Sequence, residues 1–157
     1  MSVRPIPDGY HSVTPYLVVK GAAEAIAYYK QVFGAVELMR MGGPGGTIGH
    51  AEIRIGNSPV MLADEHPDMG AVGPKSLKGS PVSLLVYVED VDGCFARAVG
   101  AGGRQIRPVE DQFYGDRMGI VEDPFGHHWS IATHKEDLSP EELQRRHDDF
   151  MKKMGGH

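Results

Sequence analysis

The spacing of apolar residues changes in a regular order along the first half of the chain. Residues 13–19 (VTPYLVV) form an almost continuous apolar run, which predicts a β-strand. Residues 21–34 then predict a helix that ends at Gly34. Its apolar face consists of Ala22, Ile26, Tyr29 and Phe33. Three shorter strands follow, at residues 36–41, 50–55 and 59–64. This half therefore has the order βαβββ.

The second half of the chain repeats that order. Residues 83–89 (SLLVYVE) predict a strand, and Asp90 is placed to cap the helix after it. The apolar face of this helix consists of Val91, Phe95 and Ala98. Three more strands are predicted at residues 104–108, 116–122 and 128–133. One shift of 69 residues carries Ala22 to Val91 (91 − 22) and Gly34 to Gly103 (103 − 34). The chain is therefore an internal repeat of two βαβββ modules.

This repeat predicts an α+β fold in which the two modules form a cup-shaped mixed sheet with a concave ligand site. The predicted segments are an N-terminal tail at 1–10, a first module at 11–66, a linker at 67–80, a second module at 81–134, and a C-terminal capped helix and tail at 135–157. Ser139 and Glu142 form a capping box with Pro140 at the first helical position. One side of the helix carries an apolar stripe, which either its own domain or a second subunit must cover. The stripe consists of Leu143, His147, Phe150, Met151 and Met154.

Composition narrows the classes of partner and compartment. The 157 residues are 41% hydrophobic and 24% charged. The net charge is −5 and the basic residues form only one short cluster, so we expect no nucleic-acid partner. No apolar run reaches the length of a membrane-spanning helix, so we expect no membrane partner. Cys94 is the single cysteine, which excludes an internal disulfide and favours the cytoplasm.

Motifs in both halves resemble those of a known family. YHSVTPYLVV and AIAYYKQVFG in the first half, with VEDVDGCFARAVGAGG and YGDRMGIVEDPFGHHWSIATH in the second, are similar to the vicinal oxygen chelate superfamily. The nearest resemblance is to its glyoxalase/bleomycin-resistance members of the PhnB-like kind, over residues 11–134. It implies the paired βαβββ fold and a homodimer. Many enzymes of this family hold one divalent metal in the cup with His, Glu or Gln side chains, so the resemblance also raises the question of a metal site.

The family's four metal-ligand positions fall on residues of other types in this chain. The resemblance places them at Thr14 and Met61 in the first module and at Ser83 and Ser130 in the second. Hydroxyl and thioether groups are poor substitutes for imidazole and carboxylate on these metals. We therefore expect no family metal and no other cofactor.

Further residues are candidates for binding a small molecule in the cup. Tyr16 is an even number of residues from Thr14, and Tyr87 from Ser83, so each pair lies on one face of its strand. The two tyrosines either line the cup or fill the core. In the cup, aromatic walls would suit a planar or cationic ligand. Tyr114, Asp116 and Arg117 form a polar cluster. In it Arg117 either clamps an anionic group, with Asp116 orienting it or acting as a base, or forms a structural Asp–Arg pair. The predicted cup lining is Thr14, Tyr16, Met61, Ser83, Tyr87, Tyr114, Asp116, Arg117, His128 and Ser130.

The histidines do not form a site by sequence proximity alone. His128 and His134 are too far apart along one strand to share a metal, and His127 is expected to be exposed in the turn before that strand. The side chains of His50 and Glu52 lie on the same face of one strand. They could act as metal ligands, act as an acid–base pair, or form the polar face of an edge strand. A metal site made of His50, Glu52 and His128, unrelated to that of the family, is a further hypothesis.

These observations favour a metal-free protein of the bleomycin-resistance type that sequesters a small molecule in the cup of a homodimer. One alternative is a metal-dependent lyase, isomerase or dioxygenase of the glyoxalase kind. Another is a metal-free enzyme that uses Asp116, Glu52 or a histidine as its base. The sequence leaves open whether the protein is an enzyme.

Overall fold

The computed structural model describes residues 2–155, and it contains the two predicted modules; Met1, Gly156 and His157, from the two predicted terminal segments, lie outside the described residues. The elements of the first module are β1 (Tyr16–Val19), α1 (Ala22–Phe33), β2 (Val36–Gly42), β3 (Ile48–Ile55) and β4 (Ser58–Asp64). A short helix, α2 (Pro74–Leu77), follows in the predicted linker. The elements of the second module are β5 (Ser83–Tyr87), α3 (Val91–Gly100), β6 (Arg104–Asp111), β7 (Asp116–Glu122) and β8 (His128–His134).

Each module forms its own four-stranded sheet with the same topology. The strand orders are β1-β4-β3-β2 and β5-β8-β7-β6. The first and last strands of each module are parallel neighbours, and the remaining pairs are antiparallel. A helix connects the first strand to the far edge of each sheet. The predicted α+β fold of two βαβββ modules is confirmed.

Local sequence signals set the helix ends as expected. Gly34 has a φ of 67°, a left-handed conformation that suits glycine, and its N–H donates to the carbonyl of Lys30 at the end of α1. The Asp90 side chain accepts a hydrogen bond from the N–H of Gly93 at the start of α3. The apolar faces of both helices are buried. These stops and caps follow directly from the residues at those positions.

The two modules share one hydrophobic core because α1 contacts the second sheet as well as the first. The ring of Trp129 on β8 lies 4.7 Å from Phe33 and 5.4 Å from Tyr29, measured between ring centroids. Cys94 on α3 is buried, and its thiol lies 3.4 Å from the carbonyl oxygen of Val32 on α1. Burial raises the pKa of the Cys94 thiol, which is therefore a structural group.

Helix α4 (Pro140–Gly155) lies outside the repeat and rests on the second module through its middle, from Arg146 to Phe150. The Ser139 hydroxyl accepts a hydrogen bond from the N–H of Glu142, as the capping box predicts. Phe150 stacks on Phe113 with ring centroids 5.0 Å apart, and Arg146 forms an ion pair with Glu136. No described residue of α4 is buried, so most of its predicted apolar stripe is exposed. Among residues 2–155, no helix has the length and apolar character needed to cross a membrane.

Candidate functional site

Each sheet has one face covered by helices and one face without helical cover, which we call its open face. Side chains alternate between the two faces along a strand. Leu17, Val19, Trp129 and Ile131 are buried on the covered faces. The side chains of Tyr16 and Tyr87 are on the open faces, with 49% and 60% of their surfaces exposed. These two tyrosines therefore do not fill the core.

The open face of the first sheet carries a chain of hydrogen bonds between four side chains. The hydroxyl of Tyr16 lies 2.9 Å from Nδ1 of His50. Nε2 of His50 lies 2.8 Å from one carboxylate oxygen of Glu52, and the hydroxyl of Tyr10 donates to the other. Met39, Met41 and Met61 are cross-strand neighbours of these residues. The polar chain is thus set among flexible, apolar thioether side chains.

His50 and Glu52 do not form the polar face of an edge strand, one of the three possibilities for this pair. Their strand, β3, is hydrogen-bonded to β2 on one side and to β4 on the other. The sequence did not reveal this position because strand order depends on how the whole module pairs. Inside the sheet, the two side chains are held against each other by neighbours on both sides, and both are more than three-quarters buried.

The open face of the second sheet carries a different chain of hydrogen bonds, centred on Asp116. This carboxylate is 5% exposed. It accepts a hydrogen bond from the hydroxyl of Tyr87 at 2.9 Å and lies 2.7 Å from Nδ1 of His134, whose Nε2 contacts Asp137. The hydrogen bond to Asp116 raises the pKa of Tyr87, and the hydrogen bonds to Asp116 and Asp137 raise the pKa of His134. Both oxygens of Asp116 are engaged, which makes it a poor candidate for a general base.

His128 belongs to a second polar group on the same face. Its Nε2 lies 3.0 Å from the Glu122 carboxylate, which also contacts Arg104. Burial alone would raise the pKa of Glu122, but the hydrogen bond from His128 and the charge of Arg104 outweigh it and hold this pKa below its ordinary value. Ser83 lies beside His128, and Ser130 lies beside Leu85.

Two of the predicted cup residues have contacts that the sequence did not indicate. Arg117 does not pair with Asp116, and it lies off the open face; its guanidinium donates to Asp92 on α3 and to Asp111. The prediction that Arg117 lines the cup was wrong because neighbouring residues of β7 point to opposite sides of the sheet. Tyr114 is half-buried and its hydroxyl contacts the sulfur of Met118, so it remains beside the open face.

The turn before β8 joins the two modules and does not hold a free histidine. His127 was expected to be exposed, but it is half-buried and its Nε2 lies 3.1 Å from the carbonyl oxygen of Val18 on the free edge of β1. The Asp123 carboxylate, 2% exposed, accepts hydrogen bonds from the Tyr29 hydroxyl at 2.6 Å and from the Trp129 indole at 2.9 Å. The sequence did not indicate the contact of Asp123 with Tyr29, because the two residues are 94 positions apart.

The hypothetical metal site of His50, Glu52 and His128 does not form. His50 and Glu52 are on the first sheet, whereas His128 is on the second sheet and pairs with Glu122. Within residues 2–155, no three His, Cys, Asp or Glu side chains are grouped closely enough to hold a metal ion.

A cavity of about 670 Å³ lies between the modules on their helix-covered side. Its walls include Val32, Phe33, Leu84, Val86, Cys94 and Trp129, and Leu85 and Tyr87 also border it, whereas Tyr16 does not. This volume is within the range of small-molecule sites, but the lining near the core is apolar and offers few converging polar groups. The cavity arises only when two modules pack together, so no single sequence motif predicts it.

The chain matches a known family model over residues 9–131, that of the Glyoxalase/Bleomycin resistance protein/Dioxygenase superfamily. The chain belongs to this superfamily. A similar sequence is the uncharacterized protein Mb0911c of Mycobacterium bovis, which is 45% identical over 136 residues and is matched over 85% of this chain and 90% of its own length.

Solved structures share the fold of this chain. TioX from Micromonospora sp. ML1 is 28% identical, with a TM-score of 0.59 over 82% of this chain and 100% of its own. The Arabidopsis thaliana At5g48480 product is 25% identical, with a TM-score of 0.63 over 78% of this chain and 98% of its own.

The residues at the superfamily's metal-ligand positions do not fit a metal. Met61 lies beside Tyr16 and Glu52 on the first sheet, and Ser83 and Ser130 lie on the first and last strands of the second. Thr14 lies just before β1. One thioether and three hydroxyl groups provide neither the imidazoles nor the carboxylates that Zn, Ni, Fe or Mn bind well. We therefore derive no chemical step through a metal at these positions.

Proposed function

We propose that this protein binds a small molecule at its open sheet faces and does so without a metal. The observation that carries this proposal is the pair of exposed tyrosines, Tyr16 and Tyr87, each on the first strand of its sheet and each hydrogen-bonded to a fixed polar partner. A binding site needs an apolar or aromatic surface together with a few oriented polar groups, and both open faces provide them.

The proposed ligand is planar and aromatic, or cationic. Aromatic rings attract cations and stack on flat ligands, and the hydrogen-bond chain of each tyrosine contains a carboxylate. Glu52 is linked to Tyr16 through His50, and Asp116 contacts Tyr87 directly. The net charge of −5 adds a weak attraction for cations. Thr14, Met61, Ser83, Tyr114, His128 and Ser130 complete the proposed lining.

The proposed active form is a homodimer in the cytoplasm. Exposed apolar side chains on α4, among them Met151 and Met154, need cover that one chain does not provide. Sedimentation equilibrium should give twice the monomer mass, and a double Met151→Glu, Met154→Glu variant should shift the protein toward monomer. Replacing Lys152 and Lys153 with glutamate is the matched control, with the same helix and the same number of new acids. A wild-type monomer would contradict this part of the proposal.

The test of binding is thermal unfolding against a panel of aromatic and cationic small molecules, with and without a chelator. A ligand present at about 100 times its Kd stabilises the folded state by about 2.7 kcal/mol, which raises the Tm by roughly 5–10 °C for a chain of this size. We expect at least one ligand to give this shift in both conditions. Elemental analysis should find no tightly held metal, and one metal ion per chain would contradict the proposal.

Variants distinguish the open faces from the helix-side cavity. Tyr16→Ala should abolish the shift, because it removes an exposed ring from the open face and Tyr16 does not border the cavity. Arg117→Ala should preserve it, because Arg117 contacts Asp92 and Asp111 off that face. If Val86→Phe, which fills the helix-side cavity, abolished the shift while Tyr16→Ala preserved it, the ligand would lie in the cavity and the open-face proposal would be wrong.

A further inference from the structure

The first sheet holds an arrangement in which an imidazole stands between a phenol and a carboxylate. Glu52 accepts from Nε2 of His50 at 2.8 Å, which leaves Nδ1 of a neutral imidazole as the acceptor for the Tyr16 hydroxyl at 2.9 Å. Tyr10 donates to the second oxygen of Glu52 and fixes the carboxylate. A nucleophile, a base and a group that orients the base thus stand in hydrogen-bonding sequence.

The second sheet contains the same three residue types in an order that cannot do this chemistry. Tyr87 donates directly to Asp116, and His134 binds the other oxygen of the same carboxylate. A carboxylate that stands beside a phenol opposes formation of a second negative charge. Tyr87 is therefore held in its protonated form, whereas the hydroxyl of Tyr16 faces an imidazole nitrogen and not a carboxylate.

We propose that Tyr16, His50 and Glu52 form a nucleophilic triad that accepts the acyl group of an activated ester. Tyr16 Oη forms a bond to the ester carbonyl carbon and gives its proton to His50 Nδ1. The bond from that carbon to the leaving oxygen then breaks, and the leaving oxygen takes the proton from His50. Water attacks the acyl-tyrosine with His50 as base, which releases the acid and returns the proton to Tyr16.

The surroundings of the triad favour an ester with an apolar or aromatic acyl group. Met61 is the cross-strand neighbour of both Tyr16 and Glu52, Met39 lies beside Glu52, and Met41 lies beside His50. Thioether side chains adapt to irregular apolar groups and contact aromatic rings favourably. Nearly half of the Tyr16 surface is exposed, so an ester can reach its hydroxyl.

The first experiment labels the full-length protein with phenylmethanesulfonyl fluoride, which forms a stable sulfonate ester with a reactive tyrosine as fluoride leaves. Peptide mass spectrometry compares Tyr16 with Tyr87, which is more exposed (60% against 49%) and serves as the internal control. We expect Tyr16 to be labelled at least tenfold faster. His50→Gln keeps a hydrogen-bond acceptor beside Tyr16 but cannot take up a proton, and it should slow labelling about 100-fold, within the usual range for loss of a general base.

Two further readouts separate a proton relay from a purely structural role. The wild-type labelling rate should be lower in D2O than in H2O, because a proton moves from Tyr16 to His50 as the new bond forms, and His50→Gln should abolish this difference. Release of nitrophenolate from 4-nitrophenyl acetate should fall at least tenfold in Tyr16→Phe and be unchanged in Arg117→Ala, because Arg117 contacts Asp92 and Asp111 off the open face. Equal labelling of the two tyrosines, labelling unaffected by His50→Gln, or ester cleavage unaffected by Tyr16→Phe would each overturn the triad.

The triad rests on the proposed function only in its location, because a natural ester would bind at the same open face. The two proposals can fail separately. Labelling of Tyr16 requires no ligand, so a reactive Tyr16 in a protein that no panel compound stabilises would support the triad and count against the binding proposal. Stabilisation by a ligand with an unreactive Tyr16 would do the reverse.

Discussion

The two modules show how residue order within a hydrogen-bond network, and not residue type, sets its chemistry. Both sheets place a tyrosine, a histidine and a carboxylate on their open faces. In the first sheet His50 stands between Tyr16 and Glu52, and in the second Asp116 stands between Tyr87 and His134. A central imidazole can take the proton of the phenol, whereas a central carboxylate holds both of its partners in their protonated forms.

The modules also differ in how each one supports the other. The turn before β8 in the second module places the buried Asp123 against Tyr29 of α1. The position related to Asp123 by the 69-residue repeat (123 − 54) is Arg54, which is exposed at the end of β3. The second module therefore anchors the first through a polar contact that has no counterpart at the related position.

The largest expected effect tests this anchoring. Asp123→Ala removes the acceptor for the Tyr29 hydroxyl, the Trp129 indole and the N–H groups of Phe125 and His127. Leaving several buried donors unpaired should lower the free energy of unfolding by about 3–5 kcal/mol, measured by urea denaturation. The matched control, Arg54→Ala, should change it by less than about 0.5 kcal/mol. Similar losses in both variants would remove the proposed asymmetry.

The next largest effect compares the two open-face carboxylates. Asp116→Ala should lower the free energy of unfolding by about 1–3 kcal/mol, because Asp116 is buried and both of its oxygens are bonded. Glu52→Ala should cost less, about 1 kcal/mol or below, because Glu52 is less buried. A larger loss for Glu52→Ala in the same denaturation experiment would place the structural carboxylate on the first sheet.

A spectroscopic measurement sharpens the contrast between the tyrosines. Asp116→Asn should lower the pKa of Tyr87 toward its ordinary value, since the hydrogen bond to the Asp116 carboxylate is the main cause that raises it. Ultraviolet absorbance titration of the variant, assigned with Tyr87→Phe, would detect the change. Glu52→Gln is the control and should leave the titration of Tyr87 unchanged, because Glu52 lies on the other sheet. A Tyr87 pKa that does not respond to Asp116→Asn would contradict the assigned network.

The smallest effect is a pH dependence of stability through His134. Its pKa is raised in the folded state by Asp116 and Asp137, so its contribution is complete below the ordinary imidazole pKa of 6.5 and is lost as the pH rises through the raised value. The stability difference between the wild type and His134→Gln should therefore be greater at acidic than at alkaline pH. Urea denaturation at both pH values measures it, and a difference that grows with pH would reverse the assignment.

Much of the fold could be predicted from the sequence, because each signal was local. The alternation and helical spacing gave every strand and both module helices, and Gly34, Asp90 and Ser139 marked helix ends that the structure confirms. The short α2 in the linker was not predicted, since a four-residue helix that begins with a proline carries too little periodicity.

The candidate site was predictable only where strand parity alone decides it. Parity put Tyr16 on the face of Thr14 and Tyr87 on the face of Ser83, and it left open whether the two rings line the cup or fill the core. It gave no information on the partners of Arg117, which bonds across to α3, or on the contact of His127 with β1. Those contacts join residues 25 and 109 positions apart.

The sequence by itself determined that the chain is a duplicated βαβββ unit, because apolar periodicity, glycine stops and helix caps act over a few residues. Only the tertiary structure decided that His50 stands between a phenol and a carboxylate while Asp116 stands between a phenol and an imidazole. Those neighbours come from different strands, and strand order and register bring them within hydrogen-bonding distance.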